Sequence, residues 1–256
     1  MMSQYDKARR FHSLHIPSEP VILYNIWDAG SAKSVARAGA KAIATGSWSV
    51  AAAQGYADGE ALPLDSALEV YARIAASTDL PVTIDFEGGY ATDPPTVGEN
   101  VRRLLELGVV GLNFEDQIVN GVGLYSITDQ TARLRAVRQA ADSLKLPAFI
   151  NARTDVFLKA EPGTPHRDLM DEAVARCAAY AEAGASGFFV PGLTDRALIR
   201  EICKASSLPI NVMMTRNLSE FREIAALGVA RISFGPAPYR DISSILEQEA
   251  RALFEL

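Results

Sequence analysis

The sequence holds 256 residues, with 25 Lys and Arg against 31 Asp and Glu for a net charge of −6, which argues against a nucleic-acid partner. No apolar stretch approaches the roughly 20 residues of a membrane span, and the polar opening MMSQYDKARRFHSLH has no signal-peptide core. Two cysteines, Cys177 and Cys203, are too few for a disulfide framework, so a reducing cytoplasm is the expected setting.

In chain order, an N-terminal helix is expected first, carrying His12 and His15. Eight short β-branched runs follow. They are VILYNIWD from Val21, KAIATG from Lys41, PVTIDFE from Pro81, VVGLNFED from Val109, PAFINARTD from Pro147, GFFVPG from Gly187, PINVMM from Pro209 and RISFG from Arg231. Helical spacing separates them, as in SALEVYARIAA after Asp65 and EAVARCAAYAEA after Asp171. The links into the strands alternate between Gly (Gly39, Gly108, Gly184, Gly228) and Leu-Pro (Pro81, Pro147, Pro209). Gly suits the left-handed residue that ends a helix, and Pro tolerates the first position of a strand. Alternating β and α units with near-continuous apolar strands predict a parallel sheet, and eight of them predict one (β/α)8 barrel domain over residues 1–256. A doubly wound sheet is the rival. Its GxGxxG fingerprint is absent, because the first run ends in Trp27-Asp28-Ala29-Gly30.

In such a barrel the chemistry sits at the C-terminal strand ends. The polar residues there include Asn25, Asp28, Thr45, Gly46, Ser47, Trp48, Asp85, Glu87, Asn113, Glu115, Asn151, Arg153, Asp155 and Asn211. Carboxylates gathered on one rim repel one another unless a cation neutralises them, and hard oxygen ligands favour Mg²⁺ or Mn²⁺. No Cys or His spacing offers a zinc site. Asp85 and Glu87, two apart on a predicted strand, would point the same way and could share one metal. Asp28 and Asp155 suit helix caps as well as a metal. Arg153 could clamp a substrate anion or tie down the acids. Gly46 and Ser47 offer N–H groups and a hydroxyl to an anion. His166, in a loop, reads as solvated, and both cysteines read as helix packing. Tyr90 and Tyr125 could line a pocket or merely pack.

Together these residues resemble the isocitrate lyase and phosphoenolpyruvate mutase superfamily. The resemblance runs from Ile22 to Tyr239 and rests on TIDFEGGY (Thr83–Tyr90), NFEDQ (Asn113–Gln117) and NARTD (Asn151–Asp155). Asp58, in QGYADGE, also falls where the family keeps an aspartate. The resemblance implies a (β/α)8 barrel that exchanges its C-terminal helix between subunits, as a homodimer or homotetramer. It implies Mg²⁺, with Mn²⁺ as the alternative. It implies an enzyme, a lyase or mutase, that acts on a small 2-oxo acid or phosphonate through an enolate, breaking or moving a C–C or P–C bond. The metal ligands map to Asp85, Glu87 and Glu115. Asp58, Arg153 and Asn120 map to catalytic positions, and the substrate cradle maps to Thr45, Gly46, Ser47, Trp48 and Asn211.

Two departures narrow this. The superfamily's lyases carry a Lys-Lys-Cys-Gly-His loop with an acidic cysteine, whereas Ile118–Ser126 reads IVNGVGLYS. They also end the sixth strand in a glutamate, where this chain has Phe189-Val190-Pro191-Gly192. The sequence therefore resembles the phosphonomutase-like branch, with its mutases, hydrolases and decarboxylases. The competing readings are a metal-binding barrel without efficient catalysis, a 2-methylisocitrate lyase-like enzyme, and a Schiff-base aldolase with Lys159 past the fifth strand.

Overall fold

The structure, a computed structural model, describes residues 2–214 and 220–255. Its strands are β1 (Val21–Leu23), β2 (Asn25–Ile26), β3 (Ile43–Thr45), β4 (Val82–Asp85), β5 (Gly111–Glu115), β6 (Phe149–Arg153), β7 (Gly187–Phe189), β8 (Ile210–Met213) and β9 (Arg231–Ser233). The helices are α1 (Gln4–Ser13), α2 (Ala29–Arg37), α3 (Ser47–Ala53), α4 (Leu64–Ala76), α5 (Pro94–Glu106), α6 (Ile127–Ser143), α7 (Met170–Glu182), α8 (Arg196–Ala205), α9 (Phe221–Ala225) and α10 (Ala237–Phe254).

All strand pairs are parallel, in the order β1-β9-β8-β7-β6-β5-β4-β3-β2. The first predicted run is broken at Tyr24 into β1, which pairs with β9, and β2, which pairs with β3. One run therefore supplies both ends of the strand order, giving a nearly closed α/β barrel. The four predicted helix-ending glycines all have positive φ, from +91° at Gly108 to +102° at Gly228.

Apolar side chains fill the layer between strands and helices, among them Ile84, Phe86, Leu112, Phe114, Ile150 and Phe188, all fully buried. The barrel interior is different. Such barrels are typically filled with branched apolar residues, yet here Asn25, Asn113, Asn151, Asn211, Arg231 and Ser233 are all buried. Arg231 Nη2 on β9 donates to Asn113 Oδ1 on β5 at 3.0 Å, a bond that must cross the lumen because those strands are not neighbours. Asn151 Nδ2 donates to the same oxygen at 2.9 Å. Gly187 leaves room for the Phe149 ring, since a Cβ there would lie 2.8 Å from it.

Helix α1 closes the N-terminal end of the barrel. Gln4 Nε2 donates to the carbonyls of Leu105 and Val109, both at 2.7 Å, and His15 stacks on Phe149 at 3.8 Å. Burial, then the Arg231 charge, lower the His15 imidazole to about 3. Both N-terminal histidines thus lie at the end opposite the predicted chemistry. Among the described residues no helix is long and apolar enough to cross a membrane.

Candidate active site

A cavity of about 260 Å³ opens where the C-terminal strand ends meet, with Asp85, Asp58, Arg153, Trp48, Asn113 and Gly235 in its lining. That volume suits a substrate of a few carbons, given about 30 Å³ per water molecule in the liquid.

Asp85, the last residue of β4, faces this cavity and is held at both oxygens. Oδ2 accepts from the Ser47 N–H at 3.1 Å and from Ser47 Oγ at 2.9 Å, while Oδ1 accepts from Asn113 Nδ2 at 3.1 Å. The Asp85 N–H donates to Thr45 Oγ1 at 2.9 Å. Two residues of the predicted substrate cradle are therefore turned toward Asp85. Thr45 is 1% exposed and does not line the cavity, whereas Gly46, Ser47 and Trp48 do.

Glu87 differs from its expected position on a strand. β4 ends at Asp85, and Glu87 sits in a turn with φ +49° that leads into Gly88-Gly89. The periodicity of two therefore does not aim its carboxylate. A hydrogen bond does, because Oε2 accepts from the Glu60 N–H at 2.9 Å. Glu60 in turn accepts from the Tyr90 N–H through Oε1 at 2.8 Å, so the segments after α3 and β4 are interlocked. Burial, then the charges of Asp58 and Asp85, push Glu87 up to about 8. Asp58 is raised too, by desolvation first and Asp85 second.

Glu115 ends β5 and meets Arg153 at the end of β6, with Nη1 to Oε2 at 2.9 Å. Arg153 also grips Asp155 with a two-pronged bond, Nε to Oδ1 at 2.6 Å and Nη2 to Oδ2 at 2.9 Å. Burial opposes the guanidinium charge, but Glu115 and Asp155 outweigh it and hold Arg153 well above its ordinary value. Burial, only partly offset by Arg153, likewise pushes Glu115 well up. Asp116 anchors this corner from behind, accepting from the Asp155 N–H at 2.9 Å and from Tyr180 Oη at 2.7 Å.

The remaining predicted residues scatter. Asn120 is exposed in a turn with φ +59° and does not line the cavity. Asn211 is 1% exposed inside the barrel, where its Oδ1 accepts from Ser233 Oγ at 3.2 Å, and it is not in the cavity wall either. Asp28 caps α2, accepting from the Ser31 N–H at 2.6 Å in a reciprocal capping box. Tyr125 packs over Arg133 at 4.0 Å. Both cysteines have raised thiol values from burial, Cys203 to about 12, as packing residues do. His166 lies in a 3-10 turn beside Phe157, outside the cavity lining. Sequence reasoning missed Glu60, Arg231 and Arg240. Arg240, on the first turn of α10, lines the cavity with its guanidinium over the Trp48 ring at 4.6 Å.

Among the described residues no three His, Cys, Asp or Glu side chains converge as a ready metal cage. The donor set nevertheless fits a hard divalent cation. Mg²⁺ characteristically takes one or two carboxylates and completes its shell with water and substrate oxygens. Asp58 and Asp85 line the cavity, and besides burial the charge of Asp85 raises the carboxyls of Asp58, Glu87 and Glu115.

The comparisons with known proteins agree with this architecture. Residues 11–254 match the family model described as phosphoenolpyruvate phosphomutase. A crystal structure from Burkholderia cenocepacia J2315, of a protein assigned as a phosphonomutase, is 46% identical and covers 98% of this chain and 99% of its own, with a TM-score of 0.94. The 2-methylisocitrate lyase of Escherichia coli K12 is 29% identical over 86% of this chain and 72% of its own. The structure of phosphonopyruvate hydrolase complexed with oxalate and Mg²⁺ shares the fold at 21% identity, with a TM-score of 0.84 over 99% of this chain and 88% of that one. The chain belongs to the phosphoenolpyruvate phosphomutase family, within the isocitrate lyase/phosphoenolpyruvate mutase superfamily of lyases, mutases and hydrolases.

Proposed function

We propose that this protein is a Mg²⁺-dependent enzyme that cleaves or rearranges a C–C or P–C bond in a small 2-oxo acid or phosphonate by way of an enolate. The observation that carries the reading is Asp85, held at both oxygens on the wall of a small cavity and ringed by Asp58, Glu87 and Glu115. Asp85, Glu87 and Glu115 would hold the cation, directly or through water. Bound there, it would supply positive charge where the enolate's negative charge develops. Ser47 and Asn113 keep Asp85 oriented. Arg153 keeps two N–H donors beyond those bound to Glu115 and Asp155, and it faces the cavity, so it can bind and orient a substrate anion.

The loop Ile118–Ser126 disfavours isocitrate-type cleavage, which must protonate a carbanion-like fragment as the bond breaks. Its side-chain donors are Asn120, Tyr125 and Ser126, an amide and two hydroxyls where the lyases carry a thiol. The test is one assay panel with Mg²⁺ present. Pyruvate or an equivalent oxo acid should be released from oxaloacetate-type acids or phosphonopyruvate. Isocitrate and 2-methylisocitrate should turn over at least about 10²-fold more slowly, the usual contribution of a general acid. Ordinary turnover of either tricarboxylate would move the chain among the lyases, and silence across the panel would favour a metal-binding barrel without catalysis.

The same reading extends to assembly. Helix α10 buries only Pro238, and leaves Leu246 70% and Phe254 87% exposed. Ile242, Ile245, Leu246 and Leu253 repeat at helical spacing, which makes one apolar face. An apolar groove of about 590 Å³ runs between β1 and α2, with Ile22, Tyr24 and Val35 in its wall. We infer that α10 of one subunit covers this groove on another, in a homodimer or a homotetramer. Sedimentation should show an oligomer that Leu246→Asp combined with Leu253→Asp shifts to monomer. A monomeric parent protein would refute the exchange.

A further inference from the structure

We infer that Arg231 is a positioning residue of the active site: from inside the barrel it fixes the amide of Asn113, and through that amide the direction in which Asp85 presents its carboxylate to a divalent cation. This rests on the reading of Asp85 as a metal ligand. The sequence gives no sign of it, because the arginine of RISFG finds its partner 118 residues away.

The first observation is a buried charge without a local partner. Arg231 opens β9 and is 1% exposed. Its Nε and Nη1 have no hydrogen-bond partner among the described residues, and no carboxylate there forms an ion pair with it. A cation is expensive to bury in this way, and packing alone would be served by a branched apolar side chain. Burial pulls the guanidinium down to about 9 and the Asp85 charge opposes the fall, so it stays charged at neutral pH.

The second observation is direction. Arg231 Nη2 and Asn151 Nδ2 both donate to Asn113 Oδ1, and the Asn113 amino group donates to Asp85 Oδ1 at 3.1 Å. Asn151 does not set this order by itself. It is an amide too, and turning it over would offer Asn113 its Oδ1, which is buried without a partner. A guanidinium has N–H donors and no acceptor, so Arg231 admits only the oxygen of Asn113 and leaves the amino group to Asp85. With the Asn113 amide turned over, oxygen would face oxygen at Asp85 and donor would face donor at Arg231. The third observation is reach. Ser47 grips the other carboxylate oxygen of Asp85, so Ser47 and Asn113 together fix the carboxylate plane. Asn113 lines the cavity and Arg231 does not. Arg231 therefore acts through the amide, without touching substrate or cation.

The test is calorimetric titration of Mg²⁺ into the metal-free protein without substrate, for the parent, Arg231→Met, Arg231→Lys and Arg231→Gln. Losing a group that orients a metal ligand typically weakens metal affinity about 10–100-fold, so Arg231→Met should bind Mg²⁺ at least about tenfold more weakly. Arg231→Lys keeps a charged donor with no acceptor and should recover part of the loss. Arg231→Gln can turn either end of its amide toward Asn113, and should bind more weakly than Arg231→Lys. A packing role is separated by an Asn113→Ala background, where Arg231→Met should weaken binding by less than about twofold further, since the two residues act in series. The full loss repeated in that background, or parent-like affinity in Arg231→Met, would overturn the proposal. Circular dichroism checks folding. If Arg231→Met does not fold, the other two variants decide, and equal affinity in Arg231→Lys and Arg231→Gln would overturn it. No Mg²⁺ binding by the parent protein would instead overturn the reading of Asp85 as a metal ligand, and this proposal with it.

Discussion

Stripping divalent cations is expected to abolish turnover, and Mg²⁺ or Mn²⁺ to restore it. The fall should reach about a thousandfold or more, because a metal at a developing oxyanion contributes several kcal/mol and each 1.36 kcal/mol is tenfold in rate. Full activity in excess chelator, after verified metal removal, would dismiss the cation. Stability should report the same site. Glu87 has a folded value of about 8 against an ordinary 4.5, so the metal-free fold binds more protons than the unfolded chain between those limits. A raised carboxyl makes stability fall as pH rises. His15, lowered to about 3 from 6.5, acts in the opposite sense below pH 6.5. Above pH 6.5 that opposing effect is gone, which leaves a window of about pH 6.5 to 8 in which the raised carboxyls of Glu87 and Glu115 act in the same sense. There the melting temperature of the metal-free protein should drop with rising pH, and the gain on adding Mg²⁺ should grow. A metal effect that is constant across the window would show that Glu87 does not face the cation.

Arg153→Met is expected to be the most damaging single substitution at the site. It strands Glu115 and Asp155, whose side chains are 5% and 0% exposed. Removing one partner of a buried ion pair typically costs about 3–5 kcal/mol, since the remaining charge stays buried without compensation. Arg153→Lys should recover little, because a point charge cannot hold Asp155 with two parallel bonds while reaching Glu115. Urea unfolding measures the loss directly, and both variants should lose most activity. A cost below about 1 kcal/mol, the range of exposed pairs, would mean that water reaches the corner and screens it.

Much of this was legible in the sequence. Eight β-branched runs, seven of them entered through Gly or Leu-Pro, specified the barrel, because burial on both faces and helix termination leave strong local marks. The break at Tyr24 left none, since each half of that run takes a different neighbour only once the ring closes. Glu87 was misread as a strand residue because Thr83, Asp85 and Glu87 keep the alternation. Gly88-Gly89 directly after it was the available sign of a turn. The polar lumen was invisible for another reason. Asn151 Nδ2, from the neighbouring strand, and Arg231 Nη2, from across the lumen, both donate to Asn113 Oδ1, at separations no local pattern can encode. Asp155 read equally as a cap or a ligand, and its partner Arg153 lay only two residues away. The structure makes it the anchor of that arginine.

Asn25 carries one more consequence, for the order in which the molecule is made. Its Oδ1 accepts from the N–H groups of Phe234 and Gly235 at 2.8 and 3.0 Å, across 209 and 210 residues of chain. From β2 to β9 the sheet pairs in sequence order, so those units can add one after another as the chain emerges. The seam between β1 and β9 must wait for the final unit, and it carries the greatest loop-closure entropy in the sheet. Gly235 and Pro236 are also cavity wall. A nascent chain that has completed every unit but the last therefore has Asp85 and Arg153 in their strands and still lacks a closed pocket. Substrate affinity is acquired with ring closure, and ligand binding in turn pulls the closing equilibrium forward by mass action.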